Sequence, residues 1–357
     1  MAYTTIDDPS AYFHTQLYTG DGSSDNAITN DANSGDFKPD WLWIKSRSYA
    51  DLHNVFDSSR GRDKRIFPNS SNAEGSSSPD NFLKSFDTNG FTTGNDAGMN
   101  TSSGTLVAWQ WKANGGTTSS NTDGTITSTV QVNTTAGFSI ATWTGNGTVG
   151  ATIGHGLGAV PHVFIGKQRS NAENWIVYHH KNTSAPETDF LSLNLTDATA
   201  DNANAFNDTA PTSSVMTFGG KNEVNTSGRT YVGYFFTEKQ GYSKFGSYTG
   251  NGSLDGPFVY LGFKPAWVLI RQTSTAQNWI LYDNKINPFN EAVTKLSPNL
   301  IDAEDSSTGN NDIDMLSNGF KVTEDNNDMN ESGQNFIYMA FAESPFVSSE
   351  GVPTTAR

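Results

Sequence analysis

The stretch Pro161-His162-Val163-Phe164-Ile165-Gly166-Lys167 decides the fold, together with Trp175-Ile176-Val177-Tyr178-His179 and Thr230-Tyr231-Val232-Gly233-Tyr234 downstream of it. Aromatic and β-branched residues fill both phases of a two-residue period, which predicts strands covered on both faces. The same order of segments stands earlier as Pro39-Asp40-Trp41-Leu42-Trp43-Ile44-Lys45, Asn54-Val55-Phe56-Asp57 and Thr105-Leu106-Val107-Ala108-Trp109. It returns as Pro265-Ala266-Trp267-Val268-Leu269-Ile270-Arg271, Trp279-Ile280-Leu281-Tyr282-Asp283 and Phe336-Ile337-Tyr338-Met339-Ala340. A turn precedes each copy: Tyr18-Thr19-Gly20-Asp21-Gly22, Trp143-Thr144-Gly145-Asn146-Gly147 and Tyr248-Thr249-Gly250-Asn251-Gly252. Matching positions of the second and third copies lie 104 or 105 residues apart (Pro161 to Pro265, Tyr231 to Phe336). A repeat of that length is a domain and not a solenoid unit.

Helical periodicity with caps is nearly absent, and the Asn-Gly pairs at 89–90, 146–147, 251–252 and 318–319 supply the positive φ that tight hairpins need. The expected fold is all-β: three tandem β-sandwich domains, of jelly-roll or lectin-like type, of about 105 residues each. The expected boundaries are 1–113 with an N-terminal arm, 136–240 and 241–346, followed by a tail at 347–357. Between the first two copies, residues 114–135 are rich in Gly, Ser, Thr and Asn and read as a linker holding one exposed strand. On that reading copies two and three pack rigidly while copy one has more freedom. Met1 to Pro9 reads as an anchoring arm that orders only against a partner chain.

Hydrophobic residues make up only 34% of the 357, so thin cores must rely on the large buried areas of Trp, Tyr and Phe. A formal charge of −15 argues against binding nucleic acid through its phosphates or docking on anionic lipid. With no cysteine, disulfides and thiolate chemistry are excluded. The opening residues lack a signal peptide, and no run of about twenty apolar residues suggests a membrane span, so the expectation is a soluble protein made in a cytosol.

Gly145-Asn146-Gly147-Thr148-Val149-Gly150 matches a dinucleotide-binding glycine pattern, but no helix follows it and the other copies have plain turns there. His179-His180, His155 and His162 read as ordinary histidines, because neighbours on a strand point to opposite faces. Loop acids such as Asp21, Asp25, Asp31 and Asp36, or Asp325, Asp328 and Glu331, could in principle bind calcium; their spacing fits no EF-hand, and the expected cofactor is none. No paired carboxylates in a repeated aromatic context and no nucleophile elbow are present, so an enzyme is not expected. Trp43 and Trp111 have no tryptophan counterpart in the other copies and are the candidate ligand contacts specific to copy one. Arg60, Arg62, Lys64 and Arg65 form the one basic cluster, read as a partner contact that pairs with acidic neighbours more readily than with a polyanion.

Three stretches carry a family resemblance: the one from Gly241 to Gly252, Asn207-Asp208-Thr209-Ala210-Pro211-Thr212-Ser213-Ser214-Val215, and the ending Phe341-Ala342-Glu343-Ser344-Pro345-Phe346 with its Gly351 to Arg357 tail. In these the chain resembles a tandem-repeat family of bacteriophage virion proteins, tail-fibre-like, of marine and cyanobacterial phages. The resemblance covers nearly the whole chain and is strongest from Ala136 to Phe346. It implies a non-enzymatic virion structural protein: a tail fibre or baseplate-associated appendage that contacts the host surface. The alternatives are a capsid decoration (cement) protein and a polysaccharide-binding or depolymerising tail protein. The expected partners are other phage virion proteins, further copies in a homotrimer and a host surface glycan, with neither nucleic acid nor membrane insertion.

Overall fold

A computed structural model describes residues 4–76, 81–309 and 311–354. The first repeat forms β1 (Phe13–Thr19), β2 (Asn26–Thr29), β3 (Trp41–Ser46), β4 (Asn54–Asp57), β5 (Lys64–Arg65), β6 (Gly75–Ser76), β7 (Leu83–Asp87), β8 (Gly90–Thr93) and β9 (Thr105–Trp111). Its sheets run β1-β9-β3-β4 and β2-β8-β7, all antiparallel. Residues 114–135 give β10 (Ser119–Asn121) and β11 (Ser128–Asn133). The second repeat gives β12 (Phe138–Thr144), β13 (Ala151–Gly154), β14 (Val163–Gln168), β15 (Ile176–His179), β16 (Asp189–Phe190), β17 (Ala200–Asp201), β18 (Val215–Phe218) and β19 (Thr230–Phe236). The third adds β20 (Ser243–Thr249), β21 (Phe258–Tyr260), β22 (Phe263–Gln272), β23 (Ile280–Asp283), β24 (Ile313–Leu316), β25 (Gly319–Val322) and β26 (Asn335–Pro345).

The strand order of the first repeat returns as β12-β19-β14-β15 and as β20-β26-β22-β23, each faced by a smaller sheet, β13-β18 or β21-β25-β24. Register repeats as well: Trp41 lies opposite Trp111, Val163 opposite Phe236, and Trp267 opposite Phe341. The protein is therefore an all-β sandwich structure, built from hairpin-linked antiparallel strands.

Both phases of the central strands are apolar because they serve different cores. Leu42 and Ile44 point into the first sandwich, Phe164 into the second, and Val268 and Ile270 into the third. The alternate residues Trp41 and Trp43, Val163 and Ile165, Trp267 and Leu269 all enter one further core shared by the three repeats. Around Trp111, rings from two repeats meet: Trp41 at 4.4 Å, Phe13 at 5.0 Å, Phe341 at 5.5 Å and Trp267 at 5.7 Å between centroids. Trp41 in turn stacks on Tyr234 of the second repeat at 4.5 Å.

This shared core corrects three expectations. The first repeat has no greater freedom than the others, since Trp41, Val107 and Trp111 are buried against residues of both. The 114–135 segment is no free linker: β11 pairs with β12 and β10 with β11, extending the second repeat's sheet, and Gln131 is fully buried. Thr4 to Pro9 needs no partner chain, because Ile6 enters the shared core and the Thr4 hydroxyl donates to the Gln240 carbonyl at 2.8 Å. In the tail, the Ser349 N–H donates to Asp7 at 2.7 Å. The arm residues Met1 to Tyr3 and the tail residues Thr355 to Arg357 lie outside the described residues.

Candidate functional site

The repeats are joined by equivalent polar contacts that run round in one direction. Lys45, Lys167 and Arg271 occupy the same position at the end of their strands and are all buried. The Lys45 ammonium donates to Ile301 O of the third repeat (3.1 Å), Lys167 to Ser71 O of the first (3.1 Å), and Arg271 to Thr196 O and Asp197 O of the second (2.6 Å each). His53, Trp175 and Trp279 share another position and contact Ser297 O, Phe67 O and Ser192 O in the same sense. Each contact is heterologous, and three of them close a ring. Burial lowers the pKa of Lys45 and of Lys167 to about 8 and of Arg271 to about 10, partly offset by Asp51 and Asp302, by Glu173 and Glu223, and by Asp328 and Asp197. All three stay cationic at neutral pH.

A second polar ring links strand ends. Asp57 accepts from Tyr234 of the second repeat (2.8 Å), the His179 ring meets Tyr338 O of the third (3.1 Å), and Asp283 accepts from Thr15 (2.6 Å) and Trp109 (3.1 Å) of the first. Burial raises the Asp283 carboxyl to about 6 against these hydrogen bonds, and lowers His179 to about 3 with help from nearby His180.

These rings account for the residues singled out in the sequence. Trp43 and Trp111 are buried in the shared core and offer no ring face to a ligand. The Trp43 indole donates to His53 Nδ1 at 2.9 Å, which makes its role internal. Arg60 pairs with Asp57 (2.5 Å) and Glu74 (2.8 Å), and Glu74 also binds Arg169 of the second repeat (2.8 Å). Burial opposes the Arg60 charge, yet Asp57, Tyr234 and Glu74 raise its pKa. Arg62 donates to Lys84 O, Lys64 pairs with Asp63, and Arg65 pairs with Asp96 while its guanidinium lies 3.6 Å from the Phe82 ring centroid. The basic cluster thus finds its partners inside the chain. Among the loop acids, Asp21 bonds Asn100 and Asp31 pairs with Lys285. No group of three or more potential metal-ligating His, Cys, Asp or Glu stands together among the described residues.

Solvent reaches between the second and third repeats through a groove of about 550 Å³, lined by His180, Lys181, Lys244, Ser247, Phe258 and Tyr260. A second hollow of about 480 Å³ adjoins it across Glu238, Lys244 and Tyr260 and reaches His162. Glu238 accepts the Phe245 N–H (2.8 Å), and His180 Nε2 donates to Phe245 O (2.6 Å). The His162 and His180 rings meet edge to face at 4.5 Å, and burial lowers both pKa values. Phe258 and Tyr260 form an exposed aromatic rim, with the Lys244 ammonium 5.4 Å from the Tyr260 ring. This arrangement can hold a ligand by stacking, by charge and by backbone hydrogen bonds.

Sequence reasoning passed over Glu238, Lys244, Phe258 and Tyr260. A signal existed in the repeat: by register, Phe258 and Tyr260 stand where the first copy has Ala27 and Thr29, which is a poor trade for a solvent-facing strand unless the rings are used.

Comparison with curated proteins and comparison with solved structures each found no match. A family model described as Domain of unknown function (DUF7483) matches residues 8–345 and so runs through all three repeats. The chain belongs to this family.

Proposed function

We propose that the protein is a non-enzymatic structural component of a bacteriophage virion, a tail-fibre or baseplate-associated appendage whose loops contact the host surface. The observation that carries this reading is the closed ring: Lys45, Lys167 and Arg271 lock the three sandwiches onto one core and leave polar loops of different length outside. Such a body is a rigid scaffold with replaceable recognition surfaces. The sequence resemblance to virion repeat proteins supports the setting. The buried ionisable groups support the structural role, because Asp57, His179 and Asp283 spend their hydrogen bonds on joining repeats. Further copies in a homotrimer would associate as whole closed bodies, a reading supported by the ring of contacts that closes within one chain.

Gold-labelled antibody against the purified protein, applied to intact virions, tests the assignment. Label along the tail is expected. Label on the head shell would replace the appendage with a decoration protein, and particles without label would remove the virion reading. Release of reducing ends from host capsule or lipopolysaccharide by the purified protein would overturn the non-enzymatic part.

A further inference from the structure

A strand that covers the sheet edge of the second repeat has no counterpart on the third among the described residues. There β11 lies along β12, with Gln131 opposite Ile140 and Thr129 opposite Thr142. Register against the last strand of each repeat equates Ile140 with Phe245 and Thr142 with Ser247. In the third repeat β20 is the outermost strand of its sheet, and the groove runs along Lys244, Phe245, Gly246 and Ser247, the place that β11 fills in the second.

At its start the edge is closed, because Ser243 exchanges backbone hydrogen bonds with Lys239; beyond it the edge is set up for pairing. Gly250 N–H donates to Gln334 O, so Lys244, Gly246 and Tyr248 share its parity and bond β26, while Phe245 and Ser247 turn their N–H and C=O outward. Side chains hold the outward groups of Phe245: Glu238 takes the N–H and His180 the C=O. The outward groups of Ser247 have no partner among the described residues. Where the second repeat receives β11, the residue matching Glu238 is Ala113, too short to reach the strand. Glu238 and His180 are place-holders at a vacant strand position.

Charge selects the occupant. The Gln131 amide reaches Ser58 and Ser59, whose counterparts here are His180 and Lys181; the Lys181 and Lys244 ammonium groups outnumber the one carboxylate of the groove, Glu238. We propose that the edge of β20 at Phe245 and Ser247 accepts an extended peptide segment of a partner protein as an added antiparallel strand, with an acidic side chain lying over Lys181.

The probe is a fluorescent synthetic peptide of residues 126–133 of this chain carrying Q131E, titrated against the whole protein and followed by polarisation. Wild type should bind it. Glu238→Ala, which imitates Ala113, should bind about tenfold more tightly, and Ser247→Pro about tenfold more weakly, as expected for one or two backbone hydrogen bonds. The Ser247 N–H faces away from β26, so proline there leaves the ladder intact, and an unchanged melting temperature verifies this. Equal binding to wild type and Ser247→Pro overturns the proposal, as does absence of binding to both wild type and Glu238→Ala. Protection of the Ser247 amide by host polysaccharide but not by the peptide would make the groove a sugar site instead.

Discussion

Replacing Trp111 with alanine tests whether the three repeats stand or fall together. Trp111 is buried against Phe13 and Trp41 of its own repeat and Trp267 and Phe341 of the third. Truncating a buried tryptophan costs about 3–5 kcal/mol in lost transfer energy and residual cavity. That is a large share of a typical ~5–15 kcal/mol stability. The lost ring faces residues of two repeats, so the cost falls on the common core and not on one sandwich. Guanidinium unfolding followed by far-UV circular dichroism and by tryptophan fluorescence should give coincident single transitions for wild type and Trp111→Ala, with the variant's midpoint lowered throughout. Trp111→Phe should cost less than half as much, because the indole N–H it removes has no acceptor among the described residues. A variant that loses about a third of its signal early, with the rest unfolding at the wild-type midpoint, would refute the shared core as an energetic unit.

Acid should weaken the fold through His179, whose Nδ1 accepts from Lys181 N–H while Nε2 donates to Tyr338 O. Its folded pKa is lowered to about 3, so below pH ~6.5 the unfolded chain takes up a proton that the folded chain refuses. Stability present above that pH is lost as pH falls towards 3, by up to roughly 5 kcal/mol. Asp283 acts oppositely, because its folded pKa near 6 favours the folded state as it protonates. The two slopes oppose each other between pH 6 and 4, so His179→Asn should shift the slope of stability against pH by ~1.4 kcal/mol per unit, making the variant lose less stability than wild type on acidification, measured by denaturant titration; an unchanged slope would contradict this. Asn225→Ala removes a buried amide that accepts from Asn146 N–H and donates to Thr148 O in the exposed turn, and should cost about 1–2 kcal/mol in thermal unfolding, the net worth of the hydrogen bonds lost. A loss no larger than that of an exposed-site control would show the amide to be dispensable. Glu74→Ala should cost about 1–3 kcal/mol, because buried Arg60 keeps Asp57 but loses a charge-assisted hydrogen bond. The loss should persist in 1 M salt, since buried pairs are weakly screened, and its disappearance there would refute the burial argument.

Much of the fold was legible in the chain itself. Alternation in Trp41-Leu42-Trp43-Ile44 and its later copies announces strands with two apolar faces, and the repeat aligns Lys45 with Lys167 and Arg271 and Asp57 with His179 and Asp283. The same alignment contains recurrent Asn100, Asn225 and Asn330, each buried and each bonding the turn after the first strand of its repeat. Gly20, Gly145 and Gly250 belong to the same device: a Cβ on Gly145 would stand 2.5 Å from Thr226 O. Trp43 and Trp111 were misread because departure from a repeat was taken as a sign of ligand contact. Their departure is one of volume, the first repeat filling its share of the common core with larger side chains than Ile165 and Leu269, or Phe236 and Phe341, supply at the same positions.

Sequence alone determined that each central strand is covered on both sides, because burial of apolar surface is written in side-chain period and composition. What covers the second side was decided only in three dimensions. Hydrophobic attraction has no direction and names no partner, so a two-faced strand is equally compatible with a second chain, a free-standing sandwich or a neighbouring repeat. The choice came from backbone carbonyls of one repeat meeting buried cations of another, a match of distance and orientation between residues more than seventy positions apart, such as Lys167 and Ser71. The open edge of β20 was settled in the same way: among the described residues nothing takes the place of the strand that the second repeat receives from residues 128–133.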